Sequence, residues 1–180
     1  MPFRVVIRSV PLAYRVAMSG RPGPVVLALP EDMLTSRAAC ADAPHVGALP
    51  AHPGADQLAQ VRAMLAGARA PLVLVGGSRW DAAACAALRT FAEAHALPVA
   101  AAFRHQDLFD NRHPLYAGDV GIGLNPKLAQ RIREADVLLV IGERLGEMTT
   151  GGYTLVTPPV PQQQMIHVHP GPDELGRVYQ

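Results

Sequence analysis

The feature that most constrains this chain is the run Ala70-Pro71-Leu72-Val73-Leu74-Val75-Gly76-Gly77-Ser78-Arg79-Trp80-Asp81. Four consecutive apolar residues follow a proline and stop at a glycine pair, and an alanine-rich run at helical spacing comes next. Apolar residues without alternation predict a strand buried on both faces, as in a parallel sheet covered by helices. Gly76 and Gly77 tolerate positive φ and let a ligand approach the backbone, and a helix N-terminus nearby favours a phosphate. Ala135-Asp136-Val137-Leu138-Leu139-Val140-Ile141-Gly142 repeats the idea.

Between and around these runs the chain alternates helix and strand signals. Asp56 is placed to cap a helix carrying Leu58, Val61, Met64 and Leu65 on one face, with Gly67 as its terminator. A second helix is predicted from about Asp81 to His95, with Leu88, Phe91 and Ala92 towards the sheet. Leu97–Ala102 reads as the second parallel strand, with Pro98 tolerated at its start. Phe103–Asn125 reads as one long loop, and Asn125-Pro126 starts a helix with Asn as cap and Pro in the first turn. Leu128, Ile132 and Ala135 form that helix's buried stripe. Asp136–Ile141 is the third strong strand, Met165–His169 the last strand, and Pro170–Leu175 a helix start. Together these predict an α/β, Rossmann-like three-layer domain over residues 57–180, with a mostly parallel sheet and helices on both faces.

The first 34 residues do not read as the beginning of a domain. Val6, Val10, Tyr14 and Ala17 recur at helix spacing, Pro11 is expected in a first turn after Ser9, and Gly20 ends the helix. Val25-Val26-Leu27-Ala28-Leu29 reads as a buried strand closed by Pro30. One helix and one strand cannot bury their apolar faces alone. Residues 35–56 form a surface linker, since Pro44, Pro50 and Pro53 forbid a helix interior or a central strand, and His45 and His52 are expected to be solvated.

Composition narrows the function. A hydrophobic fraction of 49% with only 5% aromatics predicts an aliphatic core. A net charge of +1 gives no support for a nucleic-acid surface. Cys40 and Cys85 show no metal or redox spacing, and no apolar run is long enough to span a bilayer, so a cytoplasmic, non-membrane protein is expected.

Ser19-Gly20-Arg21-Pro22-Gly23-Pro24-Val25-Val26-Leu27-Ala28-Leu29-Pro30-Glu31-Asp32 closely resembles the end of the N-terminal, pyrimidine-binding domain of thiamine-diphosphate-dependent enzymes. The acetolactate synthase and pyruvate oxidase group is the nearest type. Residues 57–180 resemble the central domain of the same family. The carrying elements are Val75-Gly76-Gly77, the Gly-rich loop Gly118–Asn125, Ala135–Arg144 with its Gly-x-Arg ending, and Ile166–His169. His169 stands where the family has an acidic residue.

The resemblance implies that residues 1–34 are the tail of a preceding domain, 35–56 a linker and 57–180 the central domain. It implies an intact enzyme that decarboxylates or carboligates 2-oxo acids. Thiamine diphosphate and magnesium belong to other domains of that parent, through a glutamate upstream and a Gly-Asp-Gly…Asn motif downstream. Gly118-Asp119-Val120 imitates that motif, but Val replaces the second glycine and Asn125 follows too closely. No catalytic or metal-binding residue is therefore expected here, and the chain alone is expected to be inactive. The expected partners are the parent's other domains and further copies in a homo-oligomer.

Some family members hold FAD in the central domain. A ligand there would lie at the C-terminal ends of the strands, against Gly76, Gly77 and Ser78, Gly121 and Asn125, and Gly142 with Arg144. Arg144 could pair with a phosphate. The Gly-x-Gly-x-x-Gly fingerprint is missing after Val75, and Gly121-Ile122-Gly123 lacks the third glycine. His167 and His169 read as a structural pair, Glu143 and Glu147 as solvated loop charges, and the Phe103–His113 cluster as polar surface in preference to the lining of a ligand cleft or a subunit contact. Two other classes remain open at this point: a self-contained NAD- or FAD-binding module, and a ligand-free dimerisation domain.

Overall fold

The computed structural model describes residues 3–35, 37, 39, 41–48 and 50–180, the first six of them by backbone alone. Cys40 lies outside the described residues. The chain divides into two units, Met1–His52 and Pro53–Gln180.

In the first unit, helix α1 (Phe3–Met18) precedes Gly20, which takes φ +54, and a single turn α2 (Glu31–Leu34) follows. Pro11 lies inside α1 rather than in its first turn, where its missing N–H forgoes one i→i−4 bond. Val25–Leu29 is a correction to the expected strand: it joins no sheet among the described residues. Val26 is 91% exposed. A strand needs a neighbour to satisfy its N–H and C=O groups, and the described residues of this unit offer none. His45 is exposed, with its ring edge-on to Tyr14 at 6.1 Å.

The second unit contains α3 (Ala55–Gly67), β1 (Leu72–Val75), α4 (Ala82–His95), β2 (Val99–Ala102), β3 (Tyr116–Val120), α5 (Pro126–Glu134), β4 (Val137–Ile141), α6 (Glu147–Thr150) and β5 (Gln164–Val168). The five strands form one sheet in the order β3-β2-β1-β4-β5. Every neighbouring pair is parallel. Strand alternation divides the core. Leu72, Leu74, Leu138 and Val140 pack with Leu128 and Ile132 of α5 on one face. Val73, Val75, Val99 and Leu139 pack with Leu88 and Ala92 of α4, and with Val61 and Met64 of α3, on the other. The predicted three layers are present.

Local chemistry sets the element ends. The Asp81 carboxylate caps α4 by accepting from Ala84 N at 2.7 Å, and the Asn125 side chain caps α5 by accepting from Lys127 N at 2.9 Å. The cap of α3 is Gly54, not Asp56; Gly54 N donates to Gln57 Oε1 at 2.8 Å. Asp136 ties the lead-ins of β4 and β1 together, accepting from Arg69 N at 2.6 Å and Ala70 N at 3.0 Å. Those bonds, the Arg69 one foremost, hold its carboxyl below the usual aspartate range.

Three elements depart from expectation. The loop Phe103–Asn125 contains edge strand β3, whose register against β2 shifts between Val99 and Ala100. Gly118, at φ +120, lies at this irregularity, and a Cβ there would come within 3.2 Å of Leu128 Cδ2. The Glu147–Thr150 segment forms one helical turn. Beyond β5, Pro172–Glu174 is a single 3₁₀ turn rather than the start of a helix.

Candidate functional site

The chain runs from β1 outward to β3, then returns to β4 on the other side of β1. The reversal places a topological switch point at the C-terminal ends of β1 and β4, where open α/β sheets hold their ligands. The turn after β1 is Gly76-Gly77, and the turn after β4 opens with Gly142-Glu143.

These two turns meet. Gly77 takes φ +75 and Gly142 φ +78, and a Cβ on Gly77 would fall on the Gly142 carbonyl oxygen. A Cβ on Gly76 would meet the Glu143 carboxylate and come within 2.8 Å of Ala102 Cβ. Only glycine permits an approach this close. Trp80 fastens the contact, its Nε1–H donating to Gly76 O at 2.9 Å.

The amides of the three turn glycines and the Glu143 carboxylate are hydrogen-bonded. Gly76 N donates to Ile141 O at 3.1 Å and Gly142 N to Val168 O at 2.8 Å, both continuing the sheet ladder. Gly77 N donates to His105 Nε2 at 3.3 Å. The carboxylate of Glu143 accepts from the buried Thr149 Oγ1 at 3.0 Å. Glu143 is therefore a fixed, part-buried carboxylate and not the solvated charge the sequence suggested.

The sequence-predicted contacts fall into two sets. Gly76, Gly77 and Gly142 come together, as the strand order requires. Ser78 stands exposed beside them. Gly121, at φ +153, packs its backbone against Phe103 and with Ile122 borders an open trough of about 550 Å³, whose other side includes Glu147 and Met148. Asn125 spends its side chain on the α5 cap. The Arg144 guanidinium pairs with Glu174, Nε to Oε1 at 3.3 Å.

His167 Nε2 donates to Glu143 O at 2.8 Å, and Gly171 N donates to His169 Nδ1 at 3.0 Å. Their rings lie edge-on at 5.9 Å. Burial lowers the His167 pKa from its ordinary 6.5, opposed by the bond to the Glu143 carbonyl. Each imidazole is bonded to backbone, as a structural pair would be. Among the described residues, no group of three His, Cys, Asp or Glu is arranged to hold a metal ion. His113 likewise serves structure, accepting from Leu115 N at 3.1 Å while its other nitrogen meets Glu93 Oε1 at 3.1 Å.

Sequence reasoning missed Trp80 and Thr149, and placed His105 only in the polar-surface cluster, whereas it is part-buried and accepts from Gly77 N. Trp80 had a signal, being the sole tryptophan and following the glycine pair closely. Thr149 had none, because its partner Glu143 lies across a turn.

Residues 58–180 match the family model described as thiamine pyrophosphate enzyme, central domain. The chain belongs to this family. The chain is 30% identical over 173 residues to the acetolactate synthase large subunit of Corynebacterium glutamicum, an alignment covering 93% of this chain and 27% of that protein. It is 31% identical over 178 residues to the acetolactate synthase isozyme 2 large subunit of Escherichia coli, covering 93% of this chain and 30% of the relative. Among solved structures, it is similar to a Mycobacterium smegmatis protein described as a thiamin diphosphate-dependent enzyme. That match has a TM-score of 0.59 and 26% identity, and covers 94% of this chain and 36% of the other. The chain thus spans less than a third of the length of these two curated relatives. Among the described residues, no helix of this family member is long and apolar enough to cross a membrane.

Proposed function

We propose that this chain is the architectural centre of a longer acetolactate synthase-like enzyme acting on 2-oxo acids. In this reading residues 1–34 end a preceding pyrimidine-binding domain, residues 35–56 link, and residues 57–180 space the cofactor-binding domains and contribute subunit contacts in a homo-oligomer. The observation that carries it is the reach of the relatives: their alignments take in 93% of this chain, first unit included, yet under a third of their own length. The exposed apolar segment Val25–Leu29 supports it, because such a segment would complete a sheet in another domain.

Thiamine diphosphate and magnesium then belong to flanking domains of the parent. The experiment is to assay the 180-residue chain and the intact gene product with thiamine diphosphate, Mg²⁺ and a panel of 2-oxo acids. Carbon dioxide release by the intact protein alone is the expected result. Turnover by the short chain, or none by the intact protein, would overturn the reading.

A further inference from the structure

We infer that the switch-point crevice is closed by the protein's own groups to the diphosphate of a dinucleotide such as FAD. The inference goes beyond the architectural reading and does not depend on it. A diphosphate at this place in an α/β sheet is held by unpaired turn N–H groups and by the positive N-terminus of the following helix. The three glycine amides and the cap of that helix are already engaged.

The amides of Gly76, Gly77 and Gly142 donate to Ile141 O, His105 Nε2 and Val168 O. The N-terminus of α4 carries Asp81, whose carboxylate accepts from Ala84 N at 2.7 Å and takes the position an anion would use. The Glu143 carboxylate lies against Gly76, held there by Thr149. One carboxylate therefore lies against the turn and another caps the helix N-terminus, the two places that would hold a doubly charged diphosphate, and like charges repel.

Steric closure agrees with the charges. The two glycine turns touch through backbone atoms, and Trp80 Nε1 lies 3.4 Å from where a Cβ on Gly142 would be. The Arg144 guanidinium pairs with Glu174, and that of Arg104 lies over the Phe103 ring at 5.1 Å. The glycines act as a clamp between β1 and β4, and the FAD that some family members hold in this domain does not fit.

Trp80 gives the test its own probe, since the chain has one tryptophan and its indole N–H is bonded to Gly76 O. The ¹⁵N-labelled chain is titrated near neutral pH with ADP, FAD and NAD, each to about 1 mM, while the indole cross-peak is followed. The expected result is an indole resonance that stays in place with all three. A saturable shift with any of them overturns the inference. Such a shift would leave the architectural reading standing, because that reading is decided by turnover and not by nucleotide binding.

Discussion

Val25-Val26-Leu27-Ala28-Leu29 and Leu72-Val73-Leu74-Val75 are close to interchangeable as strings, but they end in opposite environments. Val73 and Val75 have no exposed surface, whereas Val25 and Val26 are 42% and 91% exposed. Each run is preceded by proline and stopped by a residue that breaks strands. The difference is the presence of neighbours. β1 is hydrogen-bonded to β2 and β4 and covered by helices on both faces, while the earlier segment has no partner strand among the described residues. An apolar run thus specifies a need for burial, and only the rest of the fold decides whether that need is met.

The sharpest way to break this comparison is to truncate one side chain in each region. Leu138→Ala, at a fully buried position of β4, should cost about 2–5 kcal/mol, whereas Val26→Ala should stay within about 0.5 kcal/mol. Urea unfolding of both variants checks it, and comparable losses would mean that Val25–Leu29 is buried in solution. Glycines offer the next contrast. Gly77→Ala combines a positive φ with a collision against Gly142 O and should destabilise by about 2–4 kcal/mol. Gly23→Ala in the first unit meets no atom within 4 Å and should be nearly silent in the same measurement.

The smallest expected effect is a pH dependence confined to the second unit. Burial lowers the His167 pKa below 6.5, so the unfolded chain binds the proton first. Its contribution to stability is therefore complete above that pH and is lost as the pH falls from 6.5 towards the folded pKa. His167→Gln should narrow the difference in melting temperature between about pH 7.5 and about pH 5.5. An unchanged difference would remove His167 from the linkage.

Much of the fold was legible in the residues. The uninterrupted apolar runs of β1 and β4, and the proline and glycine punctuation around them, announce a parallel sheet. Asp81 and Asn125 announce helix starts by the side-chain oxygen each offers to a backbone N–H. Edge strand β3 was not legible, because Tyr-Ala-Gly-Asp-Val includes two poor strand formers and an irregular register.

The candidate site was legible only as a set of glycines. Sequence determined by itself that glycine ends β1 and follows β4, and that each turn can bend where other residues cannot. Tertiary structure alone decided that the two turns press on each other, that Trp80 closes over them, and that Glu143 is held by Thr149 against Gly76. The physical reason is that periodicity and capping act within a few residues, whereas Gly77 meets Gly142 only because the order β3-β2-β1-β4-β5 lays β4 beside β1.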